Sequence, residues 1–190
     1  MDGPSVVGRR ARPPPAGASA RRRVRPAACP EPATGQNGGM TPTPYLISRE
    51  RLIDAPADRI FEVLATPALH SVIDGSGTVR GEQPNGPARL SLGARFGMDM
   101  RMGASYKILN RVVEFEEGRR IAWRHFSAHV WRYTLEPRGT STLVREEWDG
   151  RAVRWRFVFR LTGFTRRHPA SIEATLGLLE DHVLQERDAA

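Results

Sequence analysis

The feature that most constrains this chain is a long stretch, Phe96 to Trp148, in which apolar residues recur at every second position. The clearest instance is residues 96–102, where a phenylalanine and three methionines alternate with glycine, aspartate and arginine. A period of two places alternate side chains on opposite faces of a strand. The stretch therefore predicts β-strands with one apolar face. It excludes a coiled coil or a repeat array, because both need longer periods.

Turn residues interrupt this stretch at short intervals and divide it into five strands. The predicted strands cover 96–102, 106–115, 120–126, 129–136 and 140–148. The sequence Glu116-Glu117-Gly118 is a turn, and Arg138-Gly139 is interpreted as the two-residue loop of a hairpin. Consecutive hairpins of this kind form an antiparallel meander.

A short strand and two helices are predicted before the meander. The strand covers 47–53, and Pro56 is placed to begin a helix, where its missing N–H costs nothing. Residues 60–64 continue at helical spacing, and a second short helix is expected around 69–73. Residues 74–77, Asp-Gly-Ser-Gly, form a turn.

A long amphipathic helix is predicted at the C-terminal end, over residues 169–185. Its single apolar stripe consists of Ile172, Leu176, Leu179 and Val183. At this length the helix measures about 25 Å, enough to cross a whole sheet. The preceding segment, 153–161, fits both a strand alternation and a helical stripe, and both interpretations are kept open.

Residues 53–64, Ile-Asp-Ala-Pro-Ala-Asp-Arg-Ile-Phe-Glu-Val-Leu, resemble the opening motif of the SRPBCC superfamily, which holds START-like and polyketide cyclase/dehydrase and lipid transport proteins. His70 followed by residues 74–79 is similar to small members of that group, and the element order over 45–186 agrees. The resemblance implies an α+β helix-grip fold. In that fold a curved antiparallel sheet wraps around a long C-terminal helix, two short helices follow the first strand, and a cavity lies inside. It implies no single reaction, because members include carriers, sensors, cyclases and co-chaperone-like proteins.

Hairpin geometry assigns the side chains of the meander to two faces without using that resemblance. With Arg138-Gly139 as the turn, Trp131 is predicted to face Glu146 on one side and Trp123 on the other. The further predicted pairs are Leu135 with Thr142, Tyr133 with Val144, and His125 with His129. One face then carries Ile121, Trp123, His125, His129, Trp131, Tyr133, Val144, Glu146 and Trp148, and the opposite face carries Arg124, Arg132, Arg145 and Glu147.

The aromatic face has the composition of an apolar ligand site, and the methionine strand adds side chains that adapt to ligand shape. Ordinary core packing explains the same pattern. The predicted ligand-binding residues are Phe96, Met98, Met100, Met102, Trp123, His125, Trp131, Tyr133, Val144, Glu146 and Trp148. Glu146 and His125 are the candidates for acid–base catalysis, because a carboxyl group among tryptophans has a raised pKa. The alternative is that Glu146 reaches the cavity mouth or pairs with a nearby arginine.

His70, Asp74 and Ser76 include the residue types of a catalytic triad, but seven residues of helix end and turn rarely supply its geometry. We expect His70 and Asp74, four residues apart, to share a helix face at the mouth of the cavity. Neither a metal site nor a cofactor is predicted. His125 and His129 offer two nitrogens without a third ligand, and phosphate-binding and nicotinamide motifs are missing.

Basic residues are concentrated in two places. The first forty residues hold seven arginines against two acids, and the remainder holds 22 basic and 19 acidic residues, so no specific nucleic-acid partner is expected. A second concentration consists of the arginines at 151, 154, 156, 160, 166 and 167. Three interpretations remain open for it: solvated faces, transient contact with an anionic membrane aided by Trp155, Phe157 and Phe159, and RNA or ribosome contact.

Residues 1–44 are rich in proline, arginine, alanine and glycine, which predicts a disordered tail ahead of one domain at 45–187. A translation start near Met40 is the alternative. The tail lacks the apolar core of a secretory signal, and no apolar run reaches the roughly 18–20 residues of a membrane span, so a cytoplasmic location is expected. Cys29, the single cysteine, excludes an intramolecular disulfide framework.

Together these features predict a domain that binds a small hydrophobic molecule, such as a lipid, polyketide or isoprenoid-like compound, as a carrier or sensor. The alternative is a cyclase/dehydratase-type enzyme that uses the same cavity, and a weaker alternative is a regulator that contacts protein or RNA. An enzyme differs in one respect, because it needs an acid or base within hydrogen-bond reach of its substrate. A non-enzymatic role is the expectation.

Overall fold

The computed structural model describes residues 1, 3, 45–125, 127–157 and 164–188. Backbone contacts separate Met1–Gly39 from Met40–Ala190, and the fold described below lies in the second unit. The predicted tail lies outside the described residues, apart from Met1 and Gly3. So do Phe159 and Arg160 of the predicted basic concentration.

Seven strands form one antiparallel sheet in the order β1-β7-β6-β5-β4-β3-β2. The strands are β1 (Leu46–Ile53), β2 (Val79–Glu82), β3 (Arg95–Met102), β4 (Ala104–Glu116), β5 (Arg120–Arg124), β6 (Val130–Arg138) and β7 (Ser141–Asp149). Strands β3 to β7 pair with their neighbours along the chain and form the predicted five-stranded meander, and β2, which was not predicted, extends it by pairing with β3. Strand β1 closes the other edge by pairing with β7.

Helix α1 (Ala57–Ala65) and a 3-10 helix (Pro67–Leu69) follow β1, and a long helix, α2 (Phe164–Asp188), follows β7. The sheet curves around α2, which packs against β1, β7 and α1. The four residues of the predicted apolar stripe on α2 are all buried. The α+β helix-grip fold predicted from the sequence is therefore confirmed. We call the side of the sheet that faces α2 the inner face.

Two predicted helix boundaries are wrong. Helix α2 begins at Phe164 and not at Pro169, which lies inside the helix and removes only one backbone hydrogen bond there. The second short helix, expected around 69–73, is instead the 3-10 helix followed by turns. In the segment 153–161 the described part, residues 153–157, forms turns as far as Arg156 and is helical at Phe157, so it is not a strand.

The loop between β6 and β7 consists of Gly139 and Thr140, because Arg138 pairs with Ser141. Gly139 has a φ of 68°, which places glycine first in the loop, whereas the prediction placed it second. The predicted register of this hairpin is therefore wrong by two residues. Since side chains alternate with a period of two, the shift leaves every residue on its predicted face.

Several turns lie together at one end of the sheet, and we call this the loop end. It comprises residues 74–78 before β2, Gly103 between β3 and β4, residues 125–129 between β5 and β6, and residues 150–157 after β7. These segments lie at the same end because successive antiparallel strands run in opposite directions, so every second connection falls at the same end of the sheet. The described start of α2 follows the last of them.

Candidate functional site

A buried pair, Glu146 on β7 and Tyr133 on β6, lies in the middle of the inner face. The two residues are directly opposite each other, so the predicted partners Trp131 for Glu146 and Val144 for Tyr133 are corrected by the shifted register. Only 2% of Glu146 is exposed. The Tyr133 hydroxyl hydrogen-bonds to the Glu146 carboxyl group. Within the described part of the chain, nothing hydrogen-bonds to the second carboxyl oxygen, Oε2.

Burial raises the pKa of the Glu146 carboxyl group well above its usual value. The hydrogen bond from Tyr133 opposes this shift, and the negative charge of Asp74 adds to it. Burial also raises the pKa of the Tyr133 hydroxyl group well above its usual value. These shifts favour a neutral carboxyl group, which accepts a hydrogen bond at one oxygen and can donate one from the other.

Glu146 makes none of the ion pairs found among the described residues, and it does not reach solvent. The alternative that it pairs with an arginine is therefore wrong. Arg132, on the neighbouring strand, points to the opposite face, where it binds Glu114 at 2.6 Å and also Glu147. The predicted division into an aromatic face and a charged face is confirmed.

Trp123 on β5 is the centre of one aromatic group on the inner face. Its ring stacks on His70 with centroids 5.0 Å apart, and Tyr133 lies 5.5 Å away on β6. Phe96 meets the same indole edge-on at 5.8 Å. The His70 ring donates from Nε2 to the Leu64 carbonyl at 2.9 Å, and burial lowers its pKa. His70 is thus a neutral packing partner of the tryptophan.

A second aromatic group lies toward the loop end and includes His168 of α2. The His168 ring stacks on Trp131 at 5.4 Å and meets Trp148 edge-on at 5.0 Å. His129 lies 5.9 Å from Trp148 and stacks on His125 at 4.8 Å. Burial, together with the neighbouring histidines, lowers the pKa of His129 to about 3. Burial likewise lowers the pKa of His125.

His168 was not among the residues predicted for the site. A signal was available, because His168 precedes Ile172 by four positions and so extends the apolar stripe of α2 by one turn. The ambiguity of the segment before it and the placement of the helix start at Pro169 concealed that signal.

The predicted ligand-binding residues differ in burial along the inner face. Phe96, Met98, Tyr133, Val144, Glu146 and Trp148 are buried, and Met100, Trp123, His125 and Trp131 are partly exposed. Met102 lies at the β3–β4 hairpin, is 59% exposed and is not brought together with the others. An open cavity of about 260 Å³, lined by Arg80, Asp99, Met100, Ser105, Tyr106 and Lys107, adjoins this hairpin. Asp99, Ser105 and Lys107 alternate with the inner-face residues Met98 and Met100, so this cavity lies mainly on the side of the sheet away from α2.

His70, Asp74 and Ser76 do not form a triad. The Asp74 carboxylate accepts hydrogen bonds from the Ser76 hydroxyl at 2.7 Å and from the backbone N–H groups of Thr78 and Val79. The expectation that His70 and Asp74 share a helix face is wrong, because residues 70–73 form turns and His70 bonds elsewhere. Asp74 holds the loop in shape and lies at the loop end, where the mouth of the site was predicted.

Among the described residues, no group of three or more His, Cys, Asp or Glu side chains is arranged to hold a metal ion. None of the helices in the described part of the chain is long and apolar enough to cross a membrane.

A seven-stranded antiparallel sheet curved around one long helix, with an aromatic inner face, defines a helix-grip protein of the SRPBCC type. The chain belongs to the polyketide cyclase / dehydrase and lipid transport family, whose sequence model matches residues 46–183. The resemblance found in the opening motif is thereby confirmed. The family is associated with small hydrophobic ligands, and its description covers both catalytic and transport proteins.

The chain is similar to the uncharacterized protein Rv0088 of Mycobacterium tuberculosis strain H37Rv, with 35% identity over 150 residues. That match covers 76% of this chain and 66% of the relative, so the chain spans about two thirds of the curated relative's length.

Solved structures with the same fold include protein NE0264 from Nitrosomonas europaea, with a TM-score of 0.60, 14% identity and coverage of 78% of this chain and 99% of that one. They also include protein CV1439 from Chromobacterium violaceum, with a TM-score of 0.57, 18% identity and coverage of 74% and 98%. The AHSA1-like protein from Aeromonas hydrophila has a TM-score of 0.56, 15% identity and coverage of 74% and 93%. At these identities the likeness extends to the fold alone.

Proposed function

We propose that the domain binds a small hydrophobic molecule on its inner face, as a carrier or sensor, and holds one oxygen atom of that molecule at Glu146. The observation that carries the proposal is the second carboxyl oxygen of Glu146, Oε2, which is buried with no hydrogen-bond partner among the described residues. A buried polar group left unsatisfied costs about 1–3 kcal/mol. A ligand that supplies a hydrogen bond at this atom recovers that cost.

The chemistry of the site favours a neutral ligand oxygen. The raised pKa favours the protonated form of this carboxyl group, and in that form it offers an O–H donor to a ketone, ester or hydroxyl oxygen. The partly exposed rings of Trp123 and Trp131 and the side chain of Met100 supply apolar contact around that position. An oxygen-bearing lipid, polyketide or isoprenoid-like compound fits both requirements.

The first experiment is native mass spectrometry of the full chain purified without detergent. We expect an added mass that organic extraction removes, and the extracted compound then serves as the ligand in a tryptophan-fluorescence titration. An apo mass that does not change with a mixture of lipids and polyketides would contradict the proposal.

Substitution of Glu146 tests the hydrogen bond itself. Because leucine cannot donate, the Glu146→Leu variant is expected to bind the extracted ligand about fivefold to 30-fold more weakly, a loss of about 1–2 kcal/mol. Glu146→Gln keeps an N–H donor and should lose less. The matched control is Glu136→Gln, an exposed glutamate on β6, which should bind like the wild type. Equal affinities for the leucine variant and the control would remove Glu146 from the site.

One observation favours a second candidate, a cyclase/dehydratase-type enzyme. The carboxyl group with a raised pKa lies beside a tyrosine hydroxyl, and such a group can deliver a proton to a substrate oxygen near neutral pH. An enzyme of this kind would convert the extracted compound, and Glu146→Gln would lower turnover by about 10²–10⁴-fold while binding persists. A carrier returns the compound unchanged.

A further inference from the structure

Two large apolar side chains are exposed at the loop end, in the turns that follow β7. Trp155 is 66% exposed and Phe157 is 50% exposed. Their rings meet edge-on, with centroids 6.1 Å apart, so they contact each other outside the core. Exposed aromatic pairs of this kind are unusual on a small domain and mark contact surfaces.

The turns that carry these rings are anchored to the sheet. The Gly150 N–H donates to the Tyr45 carbonyl at 2.8 Å, and Val153 is buried. A Cβ atom at Gly150 would lie 2.3 Å from the Trp148 ring, so only glycine lets the chain pass over that indole. The guanidinium group of Arg156 lies over the Tyr45 ring at 5.2 Å. These contacts hold the two exposed rings away from the core.

Positive charge surrounds the exposed rings. Arg151, Arg154 and Arg156 are all exposed, and only Arg151 has an acidic partner, Asp149 at 2.7 Å. Arg154 and Arg156 form no ion pair within the described ranges of the chain. We call residues 151–157 the basic–aromatic turn.

We propose that the basic–aromatic turn docks onto an anionic membrane surface. Tryptophan and phenylalanine insert at the lipid headgroup boundary, and arginines beside them bind lipid phosphates. Charge favours a membrane over RNA, because basic and acidic residues are nearly balanced in number over residues 41–190 and the cationic surface is short.

The test is co-sedimentation of the full chain with vesicles of phosphatidylcholine alone or with one quarter phosphatidylglycerol, in the absence of ligand. Two double variants remove the two contributions: Trp155→Ala with Phe157→Ala, and Arg154→Glu with Arg156→Glu. The charge control is Arg119→Glu with Arg138→Glu, which changes the net charge equally at the opposite end of the sheet. Circular dichroism and melting establish that each variant is folded.

Wild-type protein is expected to bind anionic vesicles and not neutral ones, with affinity that falls as salt rises. Each arginine contributes about fivefold, so losing both should weaken binding about 25-fold, and the two introduced glutamates should add to that loss. The aromatic variant should bind about tenfold more weakly, and the control should bind like the wild type apart from a modest loss of long-range attraction. Brominated phosphatidylcholine should quench the emission that Trp155 contributes, measured as the difference from Trp155→Phe.

Three results would overturn the proposal. One is an aromatic variant that binds as well as the wild type, and another is a control that loses as much affinity as the arginine variant. The third is that single-stranded RNA displaces the protein from vesicles, and that of all the variants only the arginine variant binds this RNA more weakly than the wild type. Because no ligand is present, failure here is distinguishable from failure of the ligand-binding proposal.

Discussion

At the scale of single residues, the protonation state of Glu146 links the site to the stability of the fold. Burial raises the pKa of this carboxyl group in the folded state, whereas the unfolded chain has the ordinary value. Between those two values the folded state binds more protons than the unfolded state. Its contribution to the free energy of unfolding is therefore fully present below the ordinary carboxyl pKa and declines as the pH rises toward the folded pKa.

The Glu146→Gln variant should lack this decline. Glutamine has nearly the shape of a protonated carboxyl group and carries no ionisable proton. The variant should therefore be more stable than the wild type at pH 8, by about 1 kcal/mol or more. The difference should shrink toward pH 5. Urea unfolding at both pH values measures it, with Glu136→Gln as the exposed control. Parallel stability curves for wild type and Glu146→Gln would mean that Glu146 is ionised in the folded protein.

The position of Glu146 could be predicted from the sequence, but its partner could not. Alternation alone places Glu146 with Trp148 and Val144 on one face, and a register error of two residues does not disturb that. The identity of the residue opposite depends on whether Gly139 is first or second in the loop. Both placements satisfy local turn preferences, so the hydrogen bond between Tyr133 and Glu146 was visible only in the folded chain.

At the scale of elements, the loop before β2 depends on Gly75. A Cβ atom built on Gly75 would lie 2.3 Å from the backbone N of Thr175 and 2.5 Å from the backbone O of Ser171, both in α2. The Gly75 N–H also donates to the Thr175 hydroxyl at 3.0 Å. Backbone atoms of a packed helix cannot move aside as a flexible side chain can, so the loop itself would have to shift.

Gly75→Ala should therefore destabilise the fold by about 1–3 kcal/mol, as overpacking does. Gly81→Ala, in β2, is the matched control, because no atom lies within 4 Å of its added Cβ and it should change stability little. Chemical unfolding of both variants at one pH gives the comparison. If Gly75→Ala is as stable as Gly81→Ala, the close packing of this loop on α2 is not a feature of the protein in solution.

Strand β2 and the 3-10 helix could not be predicted from the local sequence, because each depends on contacts with distant residues. Strand β2 has four residues, contains Gly81 and has a register irregularity between Val79 and Gly81, so no alternation marks it. It exists because β3 supplies a backbone edge to pair with, and that is a long-range effect. The 3-10 helix arises in the same way, since Pro67 ends α1 and burial then selects a single tight turn.

At the scale of the whole molecule, the stripe of α2 and the alternation of the meander predicted one long helix and an antiparallel sheet, because each buries one continuous apolar face. The helix-grip arrangement of the two was implied by the resemblance of residues 53–64 to the SRPBCC opening motif. The positions of four histidine rings on the inner face could not be predicted from the sequence. His125 and His129 come from a loop, His168 from α2 and His70 from the turns after the 3-10 helix. Only the curvature of the sheet around α2 brings their rings onto one aromatic surface.

These histidines give the whole domain an acid-sensitive stability. Burial lowers the pKa values of His70, His125 and His129, that of His129 to about 3, so the folded state keeps them neutral while the unfolded chain takes up protons below about pH 6.5. The stability that results is present above the ordinary histidine pKa and is lost as the pH falls toward the folded values. Glu146 acts in the opposite direction over part of the same range.

We therefore expect the free energy of unfolding to fall steadily from pH 6.5 to pH 4. The His129→Asn variant should be less stable at pH 7, because it loses the contacts with His125 and Trp148, but its stability should fall less steeply with acid. Urea unfolding across this pH range measures the slope of the unfolding free energy against pH. A purely structural role for His129 would lower the unfolding free energy of the variant equally at every pH and leave that slope unchanged. The slope of the wild-type protein over the same range is the reference.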